Sequence, residues 1–207
     1  PVPRVDEFED DIPNEGEPHP DSQSDAPSDA QPSAARRRAN EKLAQRAAEH
    51  FRRGRLKEAE ADLRRALTSD PARGDWHFNL GLTLEAAGRL DDALVSFRDA
   101  ALRLPRRAEA RFAEGSVLCR LGRFEESIRP LETATTLDKR CDPAWARLIE
   151  AHSELSQFDD AETAYYVAQE NLDRMPVTMV AMGELQLRLG RFDRGAWCFR
   201  EAMTQAP

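Results

Sequence analysis

The chain has 207 residues, 40% of them hydrophobic and only 7% aromatic, with 33% charged residues and a formal net charge of -8. That composition supplies a core for one or two ordinary domains and too few strand formers for a sheet protein, so it reads as helical with a solvated, salt-bridged surface. No stretch approaches the roughly 18 apolar residues of a membrane-spanning helix, and the acidic start is unlike a signal peptide.

Residues 1–35 hold ten acids against one base, Arg4, so the negative balance lies there and the other 29 bases and 28 acids nearly cancel. This segment is rich in Pro and Ser, with only Val2, Val5, Phe8 and Ile12 as large apolar side chains. It cannot bury enough surface to offset its ordering entropy and is expected to be a disordered tail. The phrase VDEFEDDI sets Val5, Phe8 and Ile12 at helical spacing among acids. That pattern suggests apolar anchors folding back as a pseudo-ligand over the first repeat, against the simpler reading of a solvating tail. Residues 36–65 follow with eleven bases and five acids. Such a patch could meet nucleic acid or an anionic membrane. The acids interleave at helical spacing, no aromatic platform accompanies the bases, and the neighbouring tail repels phosphate. A solvated helix face is expected, with neither nucleic acid nor membrane as partner.

From residue 40 the chain repeats itself. The small residues Ala59, Ala93, Ser127, Ala161 and Gly195 are each 34 residues apart, which sets five units beginning at Asn40, Gly74, Ala108, Asp142 and Pro176. A fixed period of this length marks a stacked array in which no unit buries its apolar face alone. Within a unit, Leu80, Gly81 and Leu84 and then Ala93, Phe97 and Ala100 fall at spacings of three and four on either side of Gly88, the pattern of two helices. The helix pairs are expected near 40–70, 74–104, 108–138, 142–173 and 176–206. Gly54, Gly88, Gly122 and Gly190 end first helices in a left-handed turn, and Ser156 takes that place in the fourth unit. Acids such as Asp91 and Asp92 open the second helices against the positive end of the dipole. Pro130 is expected at or just past the first turn of its helix.

These phrases resemble the tetratricopeptide repeat (TPR) family. Its aromatic, Leu-Gly, Tyr, Ala, Phe, Pro pattern is matched by His77, Leu80, Gly81, Leu84, Ala93, Phe97 and Pro105. The fourth unit offers Trp145, Leu148, His152, Ala161 and Tyr165, and the fifth Met182, Gly183, Gly195, Phe199 and Pro207. Lys139 and Asp173 stand where the pattern has Pro, which marks those two junctions as irregular. The resemblance implies an all-α fold, a right-handed α-solenoid of five helix-turn-helix units, with the tail over residues 1–35 and the array over 36–207. It also implies a concave groove that takes a peptide or helix of a partner protein. Carried over position by position, the groove consists of Phe51, Arg52, Phe78, Asn79, Leu82, Glu85, Phe112, Ser116, Cys119 and Arg120, then Arg147, Glu150, Glu154, Val177, Val180, Glu184 and Arg188. An alternative for Phe78 and Phe112 is packing between neighbouring first helices. The carboxylate clamp of TPR co-chaperones is not expected, because its slots in units one to three hold Ala44, Ala48, Asn79, Glu109 and Ala113, and units two to four match at Arg147 alone.

No hydrolase, phosphate-loop, dinucleotide or metalloprotease motif is present. His50 and His152 occupy the family's Tyr slot and His77 lies on an apolar stripe, so all three read as packing residues. Cys119, Cys141 and Cys198 are odd in number and lack metal or redox spacing, suggesting reduced thiols in the cytoplasm. The sequence therefore predicts a non-enzymatic interaction scaffold with no cofactor and no metal. Its alternative is the binding half of a larger protein whose catalytic part lies beyond Pro207. The second helix of the last unit carries Trp197, Phe199 and Met203, which predicts self-association through the C-terminal repeat or a longer chain.

Overall fold

A computed structural model describes residues 34–205. Every element among them is an α-helix: α1 (Ala34–Arg52), α2 (Leu56–Ser69), α3 (Gly74–Ala86), α4 (Leu90–Arg103), α5 (Ala108–Arg120), α6 (Phe124–Leu137), α7 (Asp142–Glu154), α8 (Phe158–Asn171), α9 (Pro176–Arg188) and α10 (Phe192–Gln205). They pack in order as five hairpins. Helices α3, α5, α7 and α9 begin at the unit starts read from the repeat. The first unit is longer, because α1 begins at Ala34 and takes in two alanines that composition assigned to the tail. Val5, Phe8 and Ile12 lie outside the described residues.

Each hairpin turns on one left-handed residue. Gly88 has φ +76°, its amide donates to the Glu85 carbonyl at 2.9 Å, and the Arg89 amide reaches back to the Leu84 carbonyl at 2.9 Å. The pair of bonds closes the last turn of α3 and satisfies carbonyls that the helix leaves open. Ser156 adopts the same geometry at φ +59°, with Gln157 donating to the His152 carbonyl at 2.8 Å. The second helices start without a side-chain cap at Arg55, Arg89, Arg123 or Gln157. Their first turns carry acids instead, and Arg89 and Arg123 bridge to Asp92 and Glu126. Pro130 lies deeper than its sequence position suggested: it is the seventh residue of α6 and fully inside the helix, so the Glu126 carbonyl loses its i+4 donor.

Close approach within hairpins follows from small residues. A Cβ on Gly81 would lie 2.5 Å from the Phe97 ring, and one on Gly115 would lie 2.6 Å from Leu131 Cγ. Phe97 and Leu131 are completely buried as a result, each worth about 1.5–3 kcal/mol of transfer free energy. The fourth unit carries Ile149 at that position, also buried, and α7 and α8 touch each other less closely than the other paired helices.

The following junction departs from the rest. Elsewhere the incoming first helix packs chiefly on the preceding second helix, but α9 packs chiefly on α7 and only lightly on α8. Two earlier linkers close with a turn, Arg107 donating to the Leu104 carbonyl at 3.0 Å and Cys141 to the Asp138 carbonyl at 3.2 Å. At Leu172–Met175 the Met175 amide instead donates to Gln205 Oε1 at 2.9 Å. The carboxylate of Asp142, at the head of α7, accepts the amides of Val177 and Thr178 at 2.8 and 2.9 Å. An acid from one first helix thus caps the next. Buried side chains form two main clusters, one spanning α1 to α5 and one running from α5 to α10. The sequence marked the Lys139 and Asp173 junctions alike as irregular; the first keeps the ordinary turn and the second does not.

Candidate functional site

The first and second repeats enclose an apolar cleft between α1 and α3, helices that barely touch. Its volume is about 150 Å³, and Phe51, Arg52, Asn79 and Leu82 line it. The space exists because, between its larger side chains, α1 presents only the methyl groups of Ala44, Ala47 and Ala48, with Leu63 forming part of the wall. Phe51 is 38% exposed, an aromatic edge at the rim. Asn79 and Arg52 supply polar groups beside it, and Arg52 pairs with Glu49 one turn back. A cavity of this size accepts one aromatic or branched aliphatic side chain.

The other positions proposed from the repeat differ in their surroundings. Phe78 and Phe112 are half-buried and pack on the cores. Phe78 meets Phe97 at a centroid distance of 5.6 Å and carries the Arg107 guanidinium 4.5 Å over its ring, so packing accounts for it. Cys119 is buried, and its thiol donates to Ser127 Oγ at 3.3 Å; burial pushes its pKa up, which keeps it protonated and unreactive. The charged positions largely answer one another. Arg120 bridges to Glu85 at 2.5 Å, Arg147 to Glu150 at 2.6 Å, and Arg188 to Glu154. Ser116 is half-buried and Glu184 exposed, while Val177 and Val180 are exposed at 45% and 39%. The cleft therefore gathers four of the proposed residues. Ala44, Ala47, Ala48, Leu63 and Thr83, which complete its walls, were not among them. Their signal in the sequence is the run of alanines at spacings of three and four on α1, which leaves a helix face without bulk.

The histidines are held by neighbours. His77 Nε2 meets the Pro71 carbonyl at 2.9 Å, His152 Nδ1 meets Gln157 Oε1 at 2.8 Å, and His50 Nε2 lies 3.7 Å from Asp62. Asp62 is itself gripped by Arg46 through two bonds of 2.6 Å, and this contact holds its carboxyl below the usual range. In the basic stretch, Arg46, Arg52, Arg53 and Arg64 are likewise engaged with Asp62, Glu49 and Glu60. Among the described residues no three His, Cys, Asp or Glu gather as metal ligands, and no helix is long and apolar enough to cross a membrane.

Comparison with known proteins gives a consistent fold. The tetratricopeptide repeat family model matches residues 44–110, and no curated protein sequence matches the chain. MamA from Desulfovibrio magneticus RS-1 is similar in structure, with a TM-score of 0.71, 18% identity, and coverage of 85% of this chain and 97% of that one. PilF of Pseudomonas aeruginosa has a TM-score of 0.67 at 19% identity, covering 84% of this chain and 79% of its own. YrrB, described as a TPR protein with an unusual peptide-binding site, has a TM-score of 0.66 at 15% identity, covering 80% of this chain and 85% of its own.

Proposed function

Because the chain is a tetratricopeptide repeat array, built as a scaffold of the kind that binds other proteins, we propose that it is a non-catalytic adaptor whose α1/α3 cleft takes a peptide or helix of a partner. The observation that carries this reading is the cleft itself: an apolar cavity of about 150 Å³, with Phe51 at its rim and Asn79 and Arg52 beside it. One apolar anchor from the ligand fills the cavity, and the two polar side chains reach its backbone or an adjacent carboxylate. The peptide-binding site attributed to YrrB lends support by analogy of fold. A nucleic-acid role is disfavoured by the pairing of the Arg side chains described above.

Selection of a displayed peptide library on the purified chain tests this. The selected peptides share an aromatic or branched aliphatic anchor. Phe51→Ala and Leu82→Lys weaken them about tenfold or more, the loss expected of anchor-pocket contacts, with the helical circular dichroism unchanged. Peptides that bind the variants as well as the parent chain defeat the proposal.

A second reading concerns self-association. The twelfth residues of the third and fourth repeats, Cys119 and Ser153, are 5% and 6% exposed, and the twenty-eighth residues of the second and third, Ala101 and Thr135, are 0% and 4% exposed. In the fifth repeat these positions are Leu187 and Met203, at 42% and 71%. No described residue covers them, and a following repeat or a second copy would supply the missing apolar surface.

A further inference from the structure

A separate cleft of about 350 Å³ lies between α8 and α10, remote in sequence from the α1/α3 cleft. Its composition breaks the repeat in three places at once. The twenty-fifth residue of a unit is charged in four of the five, Arg64, Arg98, Glu132 and Arg200, but is Tyr166 in the fourth. The twenty-second is Ala61, Val95, Arg129 or Thr163, but Trp197 in the fifth. The nineteenth is an acid in every other unit, Glu58, Asp92, Glu126 and Asp160, but Arg194 in the fifth. All three exceptions line this one cleft. The equivalent cleft between α4 and α6 holds Arg98, Arg129 and Glu126 at these places.

Stability of the fold does not require these exceptions. Tyr166 and Trp197 are 57% and 48% exposed, so both rings leave much of their surface in water. The rings of Tyr165 and Tyr166 meet edge to face with centroids 5.5 Å apart. The remaining acid of the cleft, Glu162, is already answered by Arg191 at 2.6 Å and approached by Gln186 at 3.5 Å. Arg194 has no ion-pair partner among the described residues, and the cleft therefore presents two aromatic faces beside one unanswered positive charge.

We infer that the α8/α10 cleft is a second binding site, for an acidic peptide segment of a partner protein that sets an aromatic or large aliphatic side chain between Tyr166 and Trp197 and a carboxylate on Arg194. The aromatic pair contributes stacking and apolar burial. Arg194 contributes a two-pronged bond that a lysine-bearing peptide cannot form. Exposed Gln169 on the same wall offers an amide to the peptide backbone.

Fluorescence reads this site directly. Trp76 and Trp145 are buried at 5% and 7% exposure, so Trp197 is the tryptophan that responds to a ligand at the surface. The probes are the blocked peptides acetyl-Asp-Phe-Leu-Asp-amide and acetyl-Lys-Phe-Leu-Lys-amide, titrated to millimolar concentration against the full chain. The acidic probe gives a saturable change in Trp197 emission that is lost in Trp197→Phe, and it binds about tenfold more tightly than the basic probe. Restoring the repeat's own pattern, with Arg194→Glu or with Tyr166→Arg, removes at least that factor while circular dichroism stays unchanged. Arg194→Gln serves if the reversal unfolds the hairpin. Phe51→Ala leaves the signal intact, so failure here and failure of the α1/α3 cleft are distinguished. Absence of a saturable Trp197 response, equal affinities for the two probes, or full binding by Arg194→Glu and Arg194→Gln overturns the inference.

Discussion

Ser156 holds φ +59° with a Cβ in place, where the other four hairpins use Gly. A left-handed residue other than Gly costs roughly 1–2 kcal/mol, of which the greater entropy of Gly in the unfolded chain returns part. Ser156→Gly is therefore expected to stabilise the fold by about 0.5–1 kcal/mol, and Gly88→Ala, made at φ +76°, to destabilise it by a similar amount; thermal melts of the two variants shift in opposite directions. Asp62 supplies a pH dependence. Arg46 holds its carboxyl below the usual range, so the folded state binds that proton less readily than the unfolded chain. The contribution is present above the ordinary carboxylate pKa of about 4 and is lost as pH falls through the lowered folded value. Asp62→Asn should lower stability at neutral pH by about 1 kcal/mol, the low end for a buried hydrogen-bonded group, since Arg46 is half exposed and recovers water. It should also flatten the acid side of the stability profile; an unchanged acid limb would remove Asp62 from the account. The turn residues were legible in the sequence because a turn is a local backbone demand. Burial of Cys119 was not, because the twelfth position faces a groove or a neighbour depending on how closely the next repeat packs.

At the scale of one helix pair, the spacing between partners is set where Gly81 meets Phe97. A methyl group placed 2.5 Å from the Phe97 ring must push the ring or the helix aside, although Ala has the better helix propensity. Gly81→Ala is expected to cost about 1–3 kcal/mol, as overpacking does, and Gly81→Ala combined with Phe97→Leu to recover part of it because the smaller side chain makes room. Equal melting temperatures for Gly81→Ala and the parent chain would show that α3 and α4 are free to separate. The replacement of that Gly by Ile149 was visible in the sequence, as was the missing Pro at Asp173. Their joint result was not. It depends on Asp142 reaching the amides of Val177 and Thr178, a contact between residues 35 and 36 positions apart that no local pattern encodes. Neither did the repeat pattern place Pro130 correctly, since its depth in α6 depends on where the helix starts.

Across the whole array the buried side chains form two main clusters that meet at α5, with Val117 and Leu118 in one and Cys119 in the other. Stability in such a stack is nearly a sum of neighbouring terms, so unfolding is expected to be broad, and Leu118→Ala to uncouple the halves into two transitions by differential scanning calorimetry. The two ends differ in character. At the start, α1 exposes Lys42 and Arg46, and Arg46 is tied to Asp62. At the other end Leu187, Phe192 and Met203 are 42%, 68% and 71% exposed. Head-to-tail stacking of two copies would set this apolar end against fixed charges and, by repeating, would build a filament. Pairing of the two apolar ends about a twofold axis sets like against like and closes after one contact. The 207-residue chain, with its fifth repeat uncovered, is therefore expected to form a dimer through that repeat at high concentration. Sedimentation equilibrium checks this: the parent chain shows a monomer–dimer equilibrium, Met203→Glu and Leu187→Glu shift it toward monomer, and Lys42→Glu on the opposite end leaves it unchanged. A monomer at every concentration, or a dimer abolished by Lys42→Glu, would show that the exposed face of the fifth repeat does not drive the association.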